Sequence, residues 1–559
     1  MPVDLGNMET LHLISDFNVS LLGRYLVHDR EQPVVDVKNT PFGQLHQTLL
    51  DVPKETNKND TALVWSRPEA ALNGFADRLG FGFGKDEELV DQVDRYAERL
   101  VAFKNGFRFL LVPTWVVQSY HRGFGLLDWR SNLGVSHLLA KLNLRLSENL
   151  ENESGIFVLD TARWLIGAGA AQPKLWYTAK VPFANAVFET AAKEIMAAID
   201  GLGGHAKKIV IVDLDDVLWG GVVGETGWRG IHLGGHSPEG EAFVDFQENL
   251  KALTRRGIQL AIVSKNDEQV ALEAIDRHPE MVLARSDFAT WRISWQDKAV
   301  NVAALMAELN LNVDSAVFID DSPQERDRVR AALPQVLVPE WPTDPAEYVT
   351  ALHNLRCFDT PALSSEDSVR TRMYQEESLR KNVKESIPSL SKWLMELGTE
   401  VAVEDLNGSN LLRTAQLINK TNQMNMTTRR LSEEQLTQWT AVSDHELWTF
   451  RVSDKFGELG LTGVITLKVE GNQGEIVDFI LSCRVMGREV ERTMLHWVVA
   501  RSRERKISRI TARYLPTPRN RPCLEFWRAS DFREVQPHLF TWEIATDYPK
   551  PASVTLVIA

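Results

Sequence analysis

The sequence predicts an α/β protein of several domains, built largely on parallel sheets, and three observations carry that prediction. A length of 559 residues suits three or four domains of ordinary size. Short apolar runs alternate with segments of helical period twice, over about 1–185 and again from 208 to about 345. From about residue 397 the pattern changes to several strand-like runs and two helices, as in a mixed α+β domain.

Each element follows in chain order. In the first stretch Leu11–Ile14, Ala62–Trp65, Phe109–Val117 and Ile156–Leu159 read as buried strands. Between them, Leu89, Val90, Val93, Tyr96, Ala97 and Leu100 share one face of a helix over Asp86–Phe103. Gly201-Leu202-Gly203-Gly204 reads as a linker. Beyond it, Lys208–Leu214, Leu260–Val263 and Ala316–Ile319 are strand candidates. Ala242, Phe243, Phe246, Leu250 and Leu253 mark a helix between the first two. In the last part Leu411–Ile418 and Gly487–Arg503 read as helices. Glu446–Val452, Gly463–Val469, Ile476–Arg484 and Ile507–Tyr514 read as strands. The expected division is 1–185, 205–360, a connecting helix over 361–396, and 397–559.

Composition narrows the function classes. Hydrophobic residues at 44% and charged residues at 25% exclude a disordered chain, a collagen and a coiled-coil rod. A net charge of −14 argues against a nucleic-acid partner. The acidic excess lies before residue 400. The part after it is close to neutral and could meet an acidic partner. Three widely spaced cysteines make neither a disulfide framework nor a zinc site. No apolar run reaches the roughly 18 residues of a membrane span. A cytoplasmic protein with no membrane partner is expected.

The strongest local signal is Ile209-Val210-Ile211-Val212-Asp213-Leu214-Asp215-Asp216, an apolar strand running into carboxylates. Ligand sites of α/β sheets lie at the carboxyl ends of strands. Gathered carboxylates repel unless a cation joins them, and oxygen ligands alone suit Mg²⁺. A second strand ends in Asp320-Asp321 and a third in Ser264. Lys298 opens a helix. Carboxylates, a hydroxyl and an ammonium on converging strand ends suit a phosphoryl group beside Mg²⁺.

This set, in this order, resembles the haloacid dehalogenase superfamily of phosphotransferases. The resemblance implies an aspartyl-phosphate nucleophile at Asp213 and a general acid/base at Asp215. It implies phosphate binding by Ser264 with Lys265 and Asn266, and a charge-balancing Lys298. It also implies Mg²⁺ held among Asp213, Asp215, Asp320 and Asp321. Only 51 residues separate Asp213 from Ser264 and 34 separate Ser264 from Lys298, which leaves no room for a large cap domain. The runs Asp213–Glu225, Val263–Asp267 and Ile319–Arg326 are similar to the FkbH-like branch. Its activity removes phosphate from 1,3-bisphosphoglycerate and loads the glyceryl group onto an acyl carrier protein thiol in polyketide-type pathways. Those partners are what the resemblance implies.

The flanks add weaker likenesses. The C-terminal part resembles the GNAT acyltransferase fold, whose phosphate loop corresponds to Arg484-Val485-Met486-Gly487-Arg488-Glu489. Arg484, Gly487 and Arg488 would then bind a carrier protein's phosphopantetheine, and Cys483 could relay the acyl group. Alternatively, Cys483 is a small buried hydrophobe. The arginines from Arg484 to Arg513 form either a docking belt for an acidic carrier or a solvated face. The polar run Asn419–Asn425 either touches substrate or is a capped loop. The N-terminal part resembles an SGNH hydrolase sheet, with Ile14-Ser15-Asp16 and Asp160-Thr161-Ala162-Arg163 in place of that family's catalytic motifs. A structural or docking role is expected of it. Two other readings stay open: a plain phosphatase on a sugar or polyol phosphate, and a carrier-protein-binding scaffold.

Overall fold

The computed structural model describes residues 9–28, 35–51, 57, 59–118, 120–169, 172–362 and 389–558. The chain forms two compact units, 1–199 and 200–559.

The first unit holds one parallel sheet of β1 (Glu9–Ser15), β2 (Val35–Asn39), β3 (Thr61–Trp65), β4 (Phe109–Pro113) and β5 (Ile156–Leu159), in the order β2-β1-β3-β4-β5. The helices Asp86–Lys104 and Val135–Leu150 cover it with Leu89, Val93, Leu100, Leu138, Leu142 and Leu146. Each such buried leucine or valine contributes about 1.5–3 kcal/mol. The edge strand β2, Val-Asp-Val-Lys-Asn, escaped the sequence reading because charged residues interrupt it.

The residues that resembled hydrolase motifs are occupied in holding the first unit together. The Ser15 hydroxyl accepts from the N–H of Phe17, Asp16 accepts from Arg67 N and Nε, and Asp160 caps the helix Thr161–Leu165.

The second unit begins at Asp200, beside the glycine run Gly201–Gly204. The helix Asn185–Leu202 runs through Gly201, where a Cβ would lie 2.5 Å from the Asp359 carbonyl oxygen. Gly201 permits that close approach. Next come β6 (Ile209–Val212), β7 (Gln259–Ser264), β8 (Phe288–Ile293) and β9 (Ala316–Ile319). They form a parallel sheet in the order β8-β7-β6-β9. β6 sits between two partners, and all four of its residues are fully buried. That is why its sequence is continuously apolar rather than alternating.

The rest of the second unit is an eight-stranded mixed sheet. Its strands are β10 (Thr399–Asp405), β11 (His445–Asp454), β12 (Gly457–Glu470), β13 (Gln473–Leu481), β14 (Arg509–Arg513), β15 (Arg533–Gln536), β16 (Leu539–Glu543) and β17 (Val554–Ile558). They lie in the order β15-β16-β14-β13-β12-β11-β10-β17. β13 and β14 pair in parallel only from Gln473/Arg509 to Ile476/Ala512. Beyond that the two strands diverge, and the chain's own Met424–Met426 fills the gap. Met426 N donates to Phe479 O, Leu481 N to Met424 O and Leu515 N to Met426 O. Of the connecting helix expected over 361–396, residues 363–388 lie outside the described residues, and a helix covers Leu390–Leu397. No described helix is long and apolar enough to cross a membrane.

Candidate active site

Three strand ends of the four-stranded sheet build the site. β6 hands the chain to Asp213 and β9 to Asp320 and Asp321, while β7 ends at the buried Ser264. Lys298 is the first residue of the helix Lys298–Glu308, capped by Asp297, whose side chain accepts from Val300 N. That cap aims the Lys298 side chain at the sheet. Its Nζ lies 2.6 Å from Asp213 Oδ2 and 2.6 Å from Asp320 Oδ2. Burial works against the ammonium, yet the two carboxylates overcome it and raise its pKa above the usual lysine value.

Asp213, Asp320 and Asp321 each offer an oxygen within 4.8 Å of the others. Asp213 Oδ1 is buried and has no hydrogen-bond partner. One ammonium does not balance three carboxylates. Burial and then repulsion from Asp213 raise the pKa of both Asp320 and Asp321, with Lys298 pulling the other way. An orphaned oxygen in an acid-rich, oxygen-only pocket fits a hard divalent cation.

Asp215 does not join that cluster. The chain bends after β6, and Asp216 takes a left-handed conformation at φ 54°. Asp215 Oδ1 then accepts from Trp219 Nε1 at 2.9 Å and from Val223 N at 3.0 Å. Its Oδ2 accepts from Asn266 Nδ2 at 2.8 Å. Of the four carboxylates expected around Mg²⁺, three therefore cluster, and both oxygens of Asp215 are turned to the 219–223 turn and to Asn266. Burial raises its pKa against these donors, which favours a carboxyl able to give a proton.

Asn266 places its amide on Asp215 Oδ2, across 51 residues of sequence. Lys265 Nζ pairs with Glu325 at 2.6 Å. Ser264 remains at the mouth of β7. Sequence reading missed Asn266 as a partner of Asp215, since nothing local marks a contact across 51 residues, and missed Trp219 and Val223 because their contacts depend on how the chain turns after Asp216. Arg326 also escaped it. Buried, it donates to the carbonyls of Asp320 and Asp321 and stiffens the loop that carries them.

The C-terminal expectations fare differently. Arg488 is buried and paired with Asp454 at 3.3 Å, so it is not presented to a ligand. Gly487 N donates to Glu491 Oε1 at 2.6 Å, so the turn before the helix Val490–Glu504 binds its own carboxylate where an anion would sit. Met424–Met426 occupies the gap between β13 and β14, and of the three residues expected to bind pantetheine only Arg484 lines a cleft. Cys483 is half-buried in the short turn after β13, and its carbonyl accepts from Asn310 Nδ2 at 3.2 Å. It does not reach the Asp213 cluster. It lies in a cleft with Lys207 and Lys208, which lead into the opposite end of β6. The arginine belt is largely neutralised residue by residue: Arg492 with Asp531, Arg503 with Asp547, Arg505 with Glu446 and Arg509 with Glu543. Within the polar run, Asn419 and Asn425 brace their own loop, and Gln423 reaches Asn312.

Glu491 gives a pH prediction. Burial pushes its carboxyl up to about 6, against the pull of the Gly487 N–H. A raised carboxyl pKa means that the folded state binds the proton more tightly, so this stability is present at low pH and lost as pH rises through about 6. Relative to Glu491→Gln, the wild type should lose about 2 kcal/mol of unfolding free energy between pH 4 and pH 7.5. Urea unfolding of both proteins at the two pH values measures it.

Comparison with known proteins bears on the kind of domain the chain contains. No family model matches the chain, and no curated protein matches it. Among solved structures, the N-terminal part of BF1531 from Bacteroides fragilis is described as containing a phosphatase domain, complexed with Mg. It superposes with a TM-score of 0.57 at 26% identity, over 64% of this chain and 95% of that one. The ribosomal-protein-S18-alanine N-acetyltransferase from Escherichia coli covers 26% of this chain and 94% of its own, with a TM-score of 0.21 and 8% identity. A GNAT-family acetyltransferase from Staphylococcus aureus Mu50 covers 26% and 99%, at 0.21 and 12%. The first likeness, joined to the carboxylates on the strand ends, supports a haloacid-dehalogenase-like phosphatase domain in this chain.

Proposed function

We propose that the chain is a Mg²⁺-dependent phosphoryl-transfer enzyme acting on a small phosphorylated molecule. The observation that carries this reading is the buried Lys298 bridging Asp213 and Asp320, with Asp215 held apart by three donors of its own. The two carboxyl groups sit in different settings, as a nucleophile and an acid/base require. Asp213 attacks phosphorus, and the bond from phosphorus to the leaving oxygen breaks. Asp215 gives its proton to that oxygen. Water, deprotonated by Asp215, then attacks the aspartyl-phosphate and releases phosphate. Ser264 and Lys298 steady the phosphoryl oxygens. Mg²⁺ among Asp213, Asp320 and Asp321 would offset their charge and draw off charge developing on the phosphoryl group.

The fuller form of the proposal rests on the motif resemblance. In it the substrate is a phosphorylated three-carbon acid such as 1,3-bisphosphoglycerate, and its acyl group passes to the phosphopantetheine thiol of an acyl carrier protein in the cytoplasm. The position of Cys483, on the far side of the four-stranded sheet from Asp213, favours the simpler reading of a phosphatase whose acyl-handling surface is separate.

One experiment separates them. Purified enzyme is mixed with a 1,3-bisphosphoglycerate generating system and a holo carrier protein, with Mg²⁺ or with EDTA. Phosphate release and the intact mass of the carrier are followed together. Mg²⁺-dependent phosphate release with a glyceryl adduct on the carrier supports the fuller form. Phosphate release with an unmodified carrier supports a phosphatase. A site that releases phosphate from no member of a panel of sugar, polyol and acyl phosphates sinks both, and leaves a binding scaffold.

A further inference from the structure

The bend after β6 decides where Asp215 points, and that bend needs support. Asp216 is left-handed at φ 54° although it is not glycine. For a residue with a Cβ this conformation is unfavourable, and it persists where the surroundings impose it. Two hydrogen bonds hold it here. Asp216 Oδ1 accepts from Gly221 N at 2.7 Å, within the turn itself. The Asp216 carbonyl accepts from the Tyr348 hydroxyl at 2.7 Å, across 132 residues of sequence. Asp213 is held separately, since its N–H donates to the Ile319 carbonyl at 3.0 Å where the sheet pairing of β6 and β9 continues.

Tyr348 is itself firmly placed. It is buried and opens the short helix Tyr348–His353. Its ring packs against Phe243, Phe246 and Trp341, with ring centres 5.8, 5.4 and 5.3 Å away. Phe243 and Phe246 belong to the helix Pro238–Arg255, whose buried Gln247 donates to the Leu218 carbonyl at 2.8 Å. Two helices thus grip the chain after β6 at two carbonyls, those of Asp216 and Leu218. Directly beyond these grips stand Trp219 and Val223, the donors to Asp215 Oδ1. A rigid hydroxyl on the Asp216 carbonyl fixes the plane of the peptide that follows, and with it the direction in which the chain leaves the bend.

We infer that Tyr348 is a positioning residue for Asp215. Its hydrogen bond to the Asp216 carbonyl holds the left-handed bend, and the bend sets the Asp215 carboxyl against Trp219 and Val223. The inference rests on the acid/base role proposed for Asp215. Without the hydroxyl the peptide after Asp216 can turn, and the carboxyl loses its fixed place. Asp213 and Lys298 keep theirs, because the sheet and the two buried carboxylates hold them. The loss therefore falls on transfer of the proton to the leaving oxygen and spares attack at phosphorus.

The test compares two substrates in the full chain with Mg²⁺. 4-Nitrophenyl phosphate has a leaving group that departs as a stable anion, whereas the alkoxide of glycerol 3-phosphate must be protonated as the bond breaks. The readout is kcat/KM, which covers the steps up to departure of the leaving group and excludes the later hydrolysis of the aspartyl-phosphate. Tyr348→Phe should lower it at least tenfold for glycerol 3-phosphate and less than threefold for 4-nitrophenyl phosphate. Asp215→Asn should show the same selectivity with a larger loss, about 10²-fold or more. The double variant should be no worse than Asp215→Asn, because the two residues act as one unit. Phe246→Leu loosens the same aromatic packing but keeps the hydroxyl, and should leave the ratio of the two substrates within threefold of wild type. An equal loss on both substrates in Tyr348→Phe overturns the inference, and so does a ratio shifted as far by Phe246→Leu. A selective Asp215→Asn beside a wild-type-like Tyr348→Phe removes Tyr348 alone. An unselective Asp215→Asn, or a wild type that cleaves neither substrate, removes the acid/base reading and the inference with it.

Discussion

Asp213→Asn should lower phosphate release by about 10⁴-fold or more while leaving the fold intact. Loss of an attacking group in a preorganised site has effects of that size. The amide is isosteric, so packing at the end of β6 is preserved. Lys298 keeps its 2.6 Å contact with Asp320. Electrostatics separate this variant from an ordinary destabilised one. Asp213 is among the groups that raise the pKa of Asp320 and Asp321, and removing its charge relieves that repulsion. In EDTA the melting temperature should stay level or rise. In Mg²⁺ the wild type should gain more stability than the variant, because the variant offers the cation one carboxylate fewer. Steady-state phosphate release, with thermal melts in EDTA and in Mg²⁺, checks all three. Activity within tenfold of wild type would remove Asp213 from the nucleophile's role.

Lys298→Ala should be the most destabilising single change in the site. Its side chain is 4% exposed and bridges two carboxylates that are themselves buried. Truncation leaves both without their cation, and breaking a buried pair in this way costs about 3–5 kcal/mol. The sign of the pH dependence follows. Lys298 is what pulls the raised pKa of Asp320 down, so with the ammonium gone it rises further and the folded state binds the proton more tightly than the unfolded chain. The variant should recover stability as pH falls from 8 to 5, and Mg²⁺ should restore part of it at pH 8. Urea unfolding at the two pH values, with and without Mg²⁺, measures both effects. A loss below about 1 kcal/mol at pH 8 would put Lys298 in the class of weak surface pairs.

The two halves of the second unit were unequally legible. β6, β7 and β9 could be read because each is an apolar run with polar punctuation. β8, Phe288–Ile293, was not, since this edge strand interrupts its apolar run with Thr290 and Arg292, which bond Glu308 of the neighbouring helix. β15 and β17 are the edges of the large sheet, and with their polar or short neighbours β10 and β16 they were missed because their sequences carry no continuous apolar run. Gly201 read as a linker because glycine marks both flexibility and close approach, and only the neighbouring Asp359 backbone distinguishes the two.

The sequence by itself determined the parallel α/β character of the chain, the strand-end placement of Asp213, Ser264 and Asp320, and the chemical type of the site. Those follow from local pattern, since a buried central strand must be apolar and carboxylates at its end need a cation. Tertiary structure alone decided which side chains meet. It turned Asp215 away from the acidic cluster, put Asn266 on Asp215, gave Arg488 to Asp454 and the Gly487 turn to Glu491, and placed Cys483 beside the opposite ends of the strands from Asp213. Such contacts depend on where the chain bends after a strand and on partners dozens of residues away, and neither is encoded in the spacing of a motif.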